Sequence, residues 1–208
     1  MPFDIKEVRP LPGAMHCILW ENSYTNLPLS LFYSIEIPLQ PLDTGHEYVD
    51  QPTETSFVIE WIRFEDKQKR EQERNWKNLL GREFFLSYDD QNAEGSIYLG
   101  SEHCQFNCSI KFNNLNETLF DIELAMDIDF NIATMNLPED GLLKIGAFVE
   151  YEGLKLLPPE MLPSFENEKD PLTLIRRFID TSVYENVLIP EGIDEARWKR
   201  LKPKINGL

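Results

Sequence analysis

Four carboxylates, Asp121, Glu123, Asp127 and Asp129, fall between Phe120, Ile122, Leu124, Met126, Ile128, Phe130 and Ile132, which take every even position of one run. Alternation with a period of two marks a half-buried strand, on which side chains two apart share a face about 7 Å apart. Asp121 with Glu123, and Asp127 with Asp129, are therefore expected as two close pairs on one polar face. Neighbouring carboxylates repel, and a cation relieves them: a metal ion, a base on the next strand, or the basic surface of another protein. A docking surface for a basic partner is the functional expectation. The same pattern also suits a solvated sheet face whose outward charge blocks edge-to-edge association, with Lys111 opposite Asp121 if Phe112 pairs with Phe120.

Other residue types invite chemistry without completing it. Asp127, Asp129 and Asn131 have the spacing that opens a calcium-binding loop, but Ile132 stands where the sharp turn needs glycine and Pro138 where a bidentate glutamate is required. His16, Cys17, His103, Cys104 and Cys108 supply zinc-type ligands, yet no paired Cys-x-x-Cys. Cys104 and Cys108 share the parity of apolar Phe106, so they read as small core residues. His103 next to Cys104 would point to the opposite face of a strand and could not activate it. Glu150 and Glu152 form a carboxylate pair of the kind a glycosidase uses, and Trp20, Trp61, Trp76 and Trp198 are candidates to line a sugar cleft or to fill the core. The chain has no Gly-x-Ser-x-Gly elbow, phosphate loop, dinucleotide glycine motif or His-Glu-x-x-His.

The elements that would carry these residues are mostly strands. Gln105 to Ala133 reads as a hairpin around a loop at Asn113 to Thr118, since Phe106, Cys108, Ile110 and Phe112 keep the inward parity of the second run. Ala14–Trp20 and Leu29–Ile37 predict another hairpin, followed by a long proline-punctuated connection to Thr55. Ser56–Phe64 predicts a third strand with Phe57, Ile59 and Trp61 on one side. Glu65 to Leu80 reads as a charged helix, with Glu65–Lys69, Asp66–Arg70 and Glu73–Lys77 four apart, ended by Gly81 and docked by its last turn. Arg82–Tyr88, Ser96–Leu99 and Leu142–Tyr151 complete the strands. Asp170-Pro171 starts a helix with Leu172, Ile175, Phe178 and Ile179 on its apolar stripe, and Asp194 caps a last helix through Leu201.

The fold class expected is mainly β: an antiparallel β-sandwich or partly open barrel of about eight strands, with one inserted charged helix near 65–80 and a C-terminal helical appendix. Residues 1–155 would form the β domain and 156–208 the helical part packed on it. The formal net charge is −16, and seventeen acids against four bases (Lys111, Lys144, Lys155, Lys169) fall between Asp89 and Asp170. That charge repels nucleic-acid phosphates and anionic membranes, which excludes both as partners. Three cysteines and a charged N-terminus, with no apolar signal core, give a cytoplasmic expectation. The functional expectation is a non-enzymatic, cofactor-free, metal-free module that binds a basic protein through Asp121, Glu123, Asp127 and Asp129, for example an inhibitor or immunity-type partner of a basic effector. A β-class enzyme or carbohydrate binder with a Trp and carboxylate-lined cleft is the alternative. A third is self-association through the basic tip formed by Arg197, Lys199, Arg200, Lys202 and Lys204.

Overall fold

The computed structural model describes residues 7–43, 52–64, 75–87, 93–99, 102–128, 142–157, 161–166, 170–185 and 199–205. They form nine strands: β1 (Gly13–Asn22), β2 (Leu27–Pro38), β3 (Ser56–Ile62), β4 (Glu83–Leu86), β5 (Glu94–Leu99), β6 (Glu102–Asn116), β7 (Leu119–Ile128), β8 (Leu142–Leu156) and β9 (Lys199–Leu201). Two short helices, α1 (Pro163–Glu166) and α2 (Pro171–Ile175), follow β8.

The mainly β expectation holds, and the sheet closes. Antiparallel pairing runs β1-β2-β3-β5-β6-β7-β8, and β8 returns to β1. The closing seam is parallel, with Gly13 beside Val149 and Ile18 beside Lys155. In an up-and-down run of seven strands the first and last point the same way, so one parallel seam is the geometric condition of closure. No open edge remains at that seam. β4 pairs with Cys108–Lys111 of β6, beyond the stretch that β5 covers, and β9 pairs with Leu154–Leu156 of β8, beyond the stretch that β7 covers.

Alternation sets which residues fill the interior. Phe106, Cys108, Ile110 and Phe112 on β6 and Phe120, Ile122, Leu124, Met126 and Ile128 on β7 are all buried, as expected from their parity. Full burial of each large apolar side chain contributes about 1.5–3 kcal/mol. Rings pack against one another in the interior: Phe112 meets Phe120 at 5.1 Å and Phe57 meets Phe106 at 5.8 Å between centroids. Glu117 and Thr118 alone form the β6–β7 turn, so the loop is shorter than Asn113 to Thr118. A bulge between Phe112 and Asn114 shifts the pairing.

Two more bulges redirect side chains. Between β2 and β3 the register slips, and Trp61 takes φ 57. Trp61 consequently turns outward, 41% exposed, and Ile62 takes the buried place that spacing assigns to Trp61. The extra residue reverses the parity that Phe57 and Ile59 had set. At the β1–β8 seam Gly153 adopts φ +108, with the backbone of Leu201 so close that a Cβ would collide with it. Only glycine meets both demands without strain.

One end of the barrel, where β3 stops and β2 and β4 begin, is plugged by a 3₁₀ turn, Trp76–Leu79. Trp76 is fully buried, stacked on Tyr151 at 4.7 Å and edge-on to Phe120 at 5.9 Å. Of the charged helix expected near 65–80, residues 65–74 lie outside the described ones; the described remainder is this 3₁₀ turn, capped by the Asn75 side chain.

Beyond β8, Asp170 caps α2 as expected, its carboxylate accepting from Leu172 N–H at 3.0 Å. Leu174, Ile175 and Ile179 are buried in the same cluster that contains the barrel interior, as are Leu162 and Phe165. Glu21 on β1 accepts both the Ser164 N–H and hydroxyl at 2.6 Å, fastening α1 to the barrel. The last helix is corrected in part: Lys199–Leu201 is a strand, because its backbone pairs with β8. Residues 194–198 lie outside the described ones.

Candidate functional site

The acidic residues of β7 do share one face. Asp121 is half-buried, and Glu123 and Asp127 are exposed on the outer wall of the barrel; Asp129 lies outside the described residues. The wall is graded, not uniformly acidic. Because the β6–β7 turn is tighter than a loop over Asn113 to Thr118, Lys111 stands beside Glu123 and not Asp121, with Glu83 of β4 on its other side, giving a lateral row Glu83, Lys111, Glu123. Asp121 is flanked by Asn114 and by Phe148 of β8. Phe148 is 54% exposed, and Phe85 on β4 is 75% exposed. Between these rings stand Lys111 and Glu123, with small outward positions at Ser109, Ala125 and Gly146 beside them. Lys144 pairs beside Ala125, between Glu123 and Asp127.

The thiol and imidazole candidates are separated by strand geometry. Cys104 is buried, whereas His103 points outward and stacks on Tyr98 at 4.4 Å. Cys17 sits in a buried chain of polar groups, its sulfur 3.0 Å from the Tyr151 hydroxyl, which is 2.7 Å from the Tyr184 hydroxyl. Burial pushes the Cys17 thiol up to about 12, with the two tyrosine hydroxyls pulling the other way, and burial alone raises Cys108 to about 12. A thiol so displaced is almost never a thiolate at neutral pH, and the thiolate is the nucleophile and metal ligand. Burial also raises Tyr151 and Tyr184. Among the described residues no group of three or more His, Cys, Asp or Glu is placed to share a metal ion.

Glu150 and Glu152 do face one groove, with Glu36, on the outside of the β1–β8 seam; it encloses about 400 Å³ and has no tryptophan among its described lining. Glu36 accepts from the Ser56 hydroxyl at 3.1 Å. Of the tryptophans, Trp76 is core, Trp20 is half-buried, Trp61 packs on Phe32, and Trp198 lies outside the described residues.

A larger cavity, about 630 Å³, opens at the plugged end of the barrel. Arg63, Arg82 and Arg177 line it, with Asn75, Asn78 and Tyr33. Its apolar lining comes from Leu29, Leu31, Phe64, Leu79 and Phe178, and no acid is among the described residues around it. Arg63 stacks over the Phe32 ring at 4.8 Å and Arg82 over Phe84 at 4.6 Å. The Nε and Nη2 of Arg63 are buried and have no hydrogen-bond partner among the described residues. Each buried unsatisfied donor costs on the order of 1–3 kcal/mol, and more when charged.

Sequence reasoning missed these arginines. Arg63 follows the last residue of β3, Arg82 precedes the first of β4, and Arg177 follows α2. Each therefore sits at an element end, and it is chain closure that brings those ends together. No protein-family model, curated protein or solved structure matches this chain.

Proposed function

We propose that this chain is a non-enzymatic binding module that docks a basic protein on the outer wall of its barrel, as an inhibitor or immunity-type partner would. The observation that carries the reading is the placement of Asp121, Glu123 and Asp127 on one exposed strand face, with the exposed ring of Phe148 beside Asp121. Charge speeds and orients encounter, while a large exposed ring bordered by charge supplies the buried anchor on which affinity depends. Gly146, two residues along β8 from Phe148 and beside Glu123, leaves room for a partner side chain to lie against the sheet. Lys111 and Lys144 offset part of the field, so they favour a partner whose bases match the acid positions.

The test is affinity capture from the host lysate at low and high salt, comparing wild type, a variant with amides at Asp121, Glu123, Asp127 and Asp129, and Phe148→Ala. Retention of one basic protein by wild type and its loss from both variants supports the reading. Equal retention by all three removes this wall from it.

A further inference from the structure

We infer that the arginine-lined cavity at the plugged end of the barrel binds a small organic anion, one with a carboxylate or phosphate head and an apolar body. The first ground is energetic cost. A guanidinium whose Nε and Nη2 are buried without a partner among the described residues is an arrangement that folding alone disfavours, and an oxyanion supplies the missing acceptors. The stack of Arg63 on Phe32 fixes the plane of the guanidinium. Arg82 and Arg177 add positive charge to the same space, and Asn75 and Asn78 add neutral polar side chains. Three arginines line this one cavity in a chain of net charge −16.

The rest of the lining sets the ligand's body. Leu29, Leu31, Phe64 and Phe178 cover the walls, so an inorganic ion would leave most of the space unmatched. About 630 Å³ lies within the usual range for small-molecule sites. A polyanion is disfavoured by the acidic remainder of the molecule, which limits the ligand to a compact mono- or dianion. This site is separate from the β7 wall, and its occupancy does not depend on a basic protein partner.

Isothermal titration calorimetry of the whole chain with decanoate, decyl phosphate, decanol and inorganic phosphate tests it. At least one of the two decyl anions is expected to bind, at least tenfold more tightly than decanol or inorganic phosphate, and the stronger of the two identifies the head group. Arg63→Met is expected to weaken that anion at least tenfold while thermal unfolding stays at or above the wild-type temperature. No binding of either decyl anion, decanol binding as tightly as the anions, or undiminished anion binding by Arg63→Met would each overturn the inference. The wild-type comparison of anion with alcohol stands even if the variant does not fold.

Discussion

Cys17, Tyr151 and Tyr184 show at the scale of single residues how burial decides chemistry. Their hydroxyl and thiol groups satisfy one another inside the barrel, so the cysteine that the sequence offers as a ligand or nucleophile is a neutral core group. The consequence is a pH dependence with a definite sign. The thiols of Cys17 and Cys108 titrate near 9 when exposed and near 12 when folded, so above pH 9 the unfolded chain holds fewer protons than the native one. Stability is fully present below pH 9 and falls as pH rises toward 12, by up to about 1.4 kcal/mol per pH unit for each thiol. Urea unfolding at a series of pH values should show this fall, and Cys108→Ala, though less stable at pH 7, should show a shallower one. An unchanged slope in that variant would assign the alkaline loss to other groups.

At the scale of elements, the strands were legible because alternation reports burial directly: Phe120 to Ile128 on β7 and Phe106 to Phe112 on β6 are inward as their spacing requires. What spacing does not report is a bulge. One inserted residue turned Trp61 outward, a turn tighter than Asn113 to Thr118 moved Lys111 from Asp121 to Glu123, and neither shift leaves a mark in composition. The arginine cavity was illegible for a related reason, since Arg63, Arg82 and Arg177 are far apart in the chain and meet only because the end of β3, the start of β4 and the end of α2 lie at one mouth. Gly153 is the residue on which the seam depends. Gly153→Ala must accommodate a positive φ and a clash with Leu201, and should cost about 1–3 kcal/mol or more, read as a lower urea midpoint. A wild-type midpoint would mean that the β8–β9 contact gives way without loss.

At the scale of the whole molecule, charge is sorted. The outer wall of β7 presents carboxylates beside an exposed aromatic ring, and the mouth of the same barrel gathers three arginines. In the basic C-terminal tip Lys204 donates to the Ser182 carbonyl at 2.9 Å and keeps its charge. Sorting of this kind makes association depend on ionic strength in a way that a uniformly acidic surface would not, since steering acts within about 10 Å at 0.1 M salt.

The docking claim is tested most directly by the association rate of the captured basic protein, measured from low to high salt for wild type and for the four-amide variant. The wild-type rate should fall by about tenfold or more as salt rises, and the variant should be slower at low salt with a flatter dependence. Rates that are equal in the two proteins and indifferent to salt would contradict a docking surface on β7.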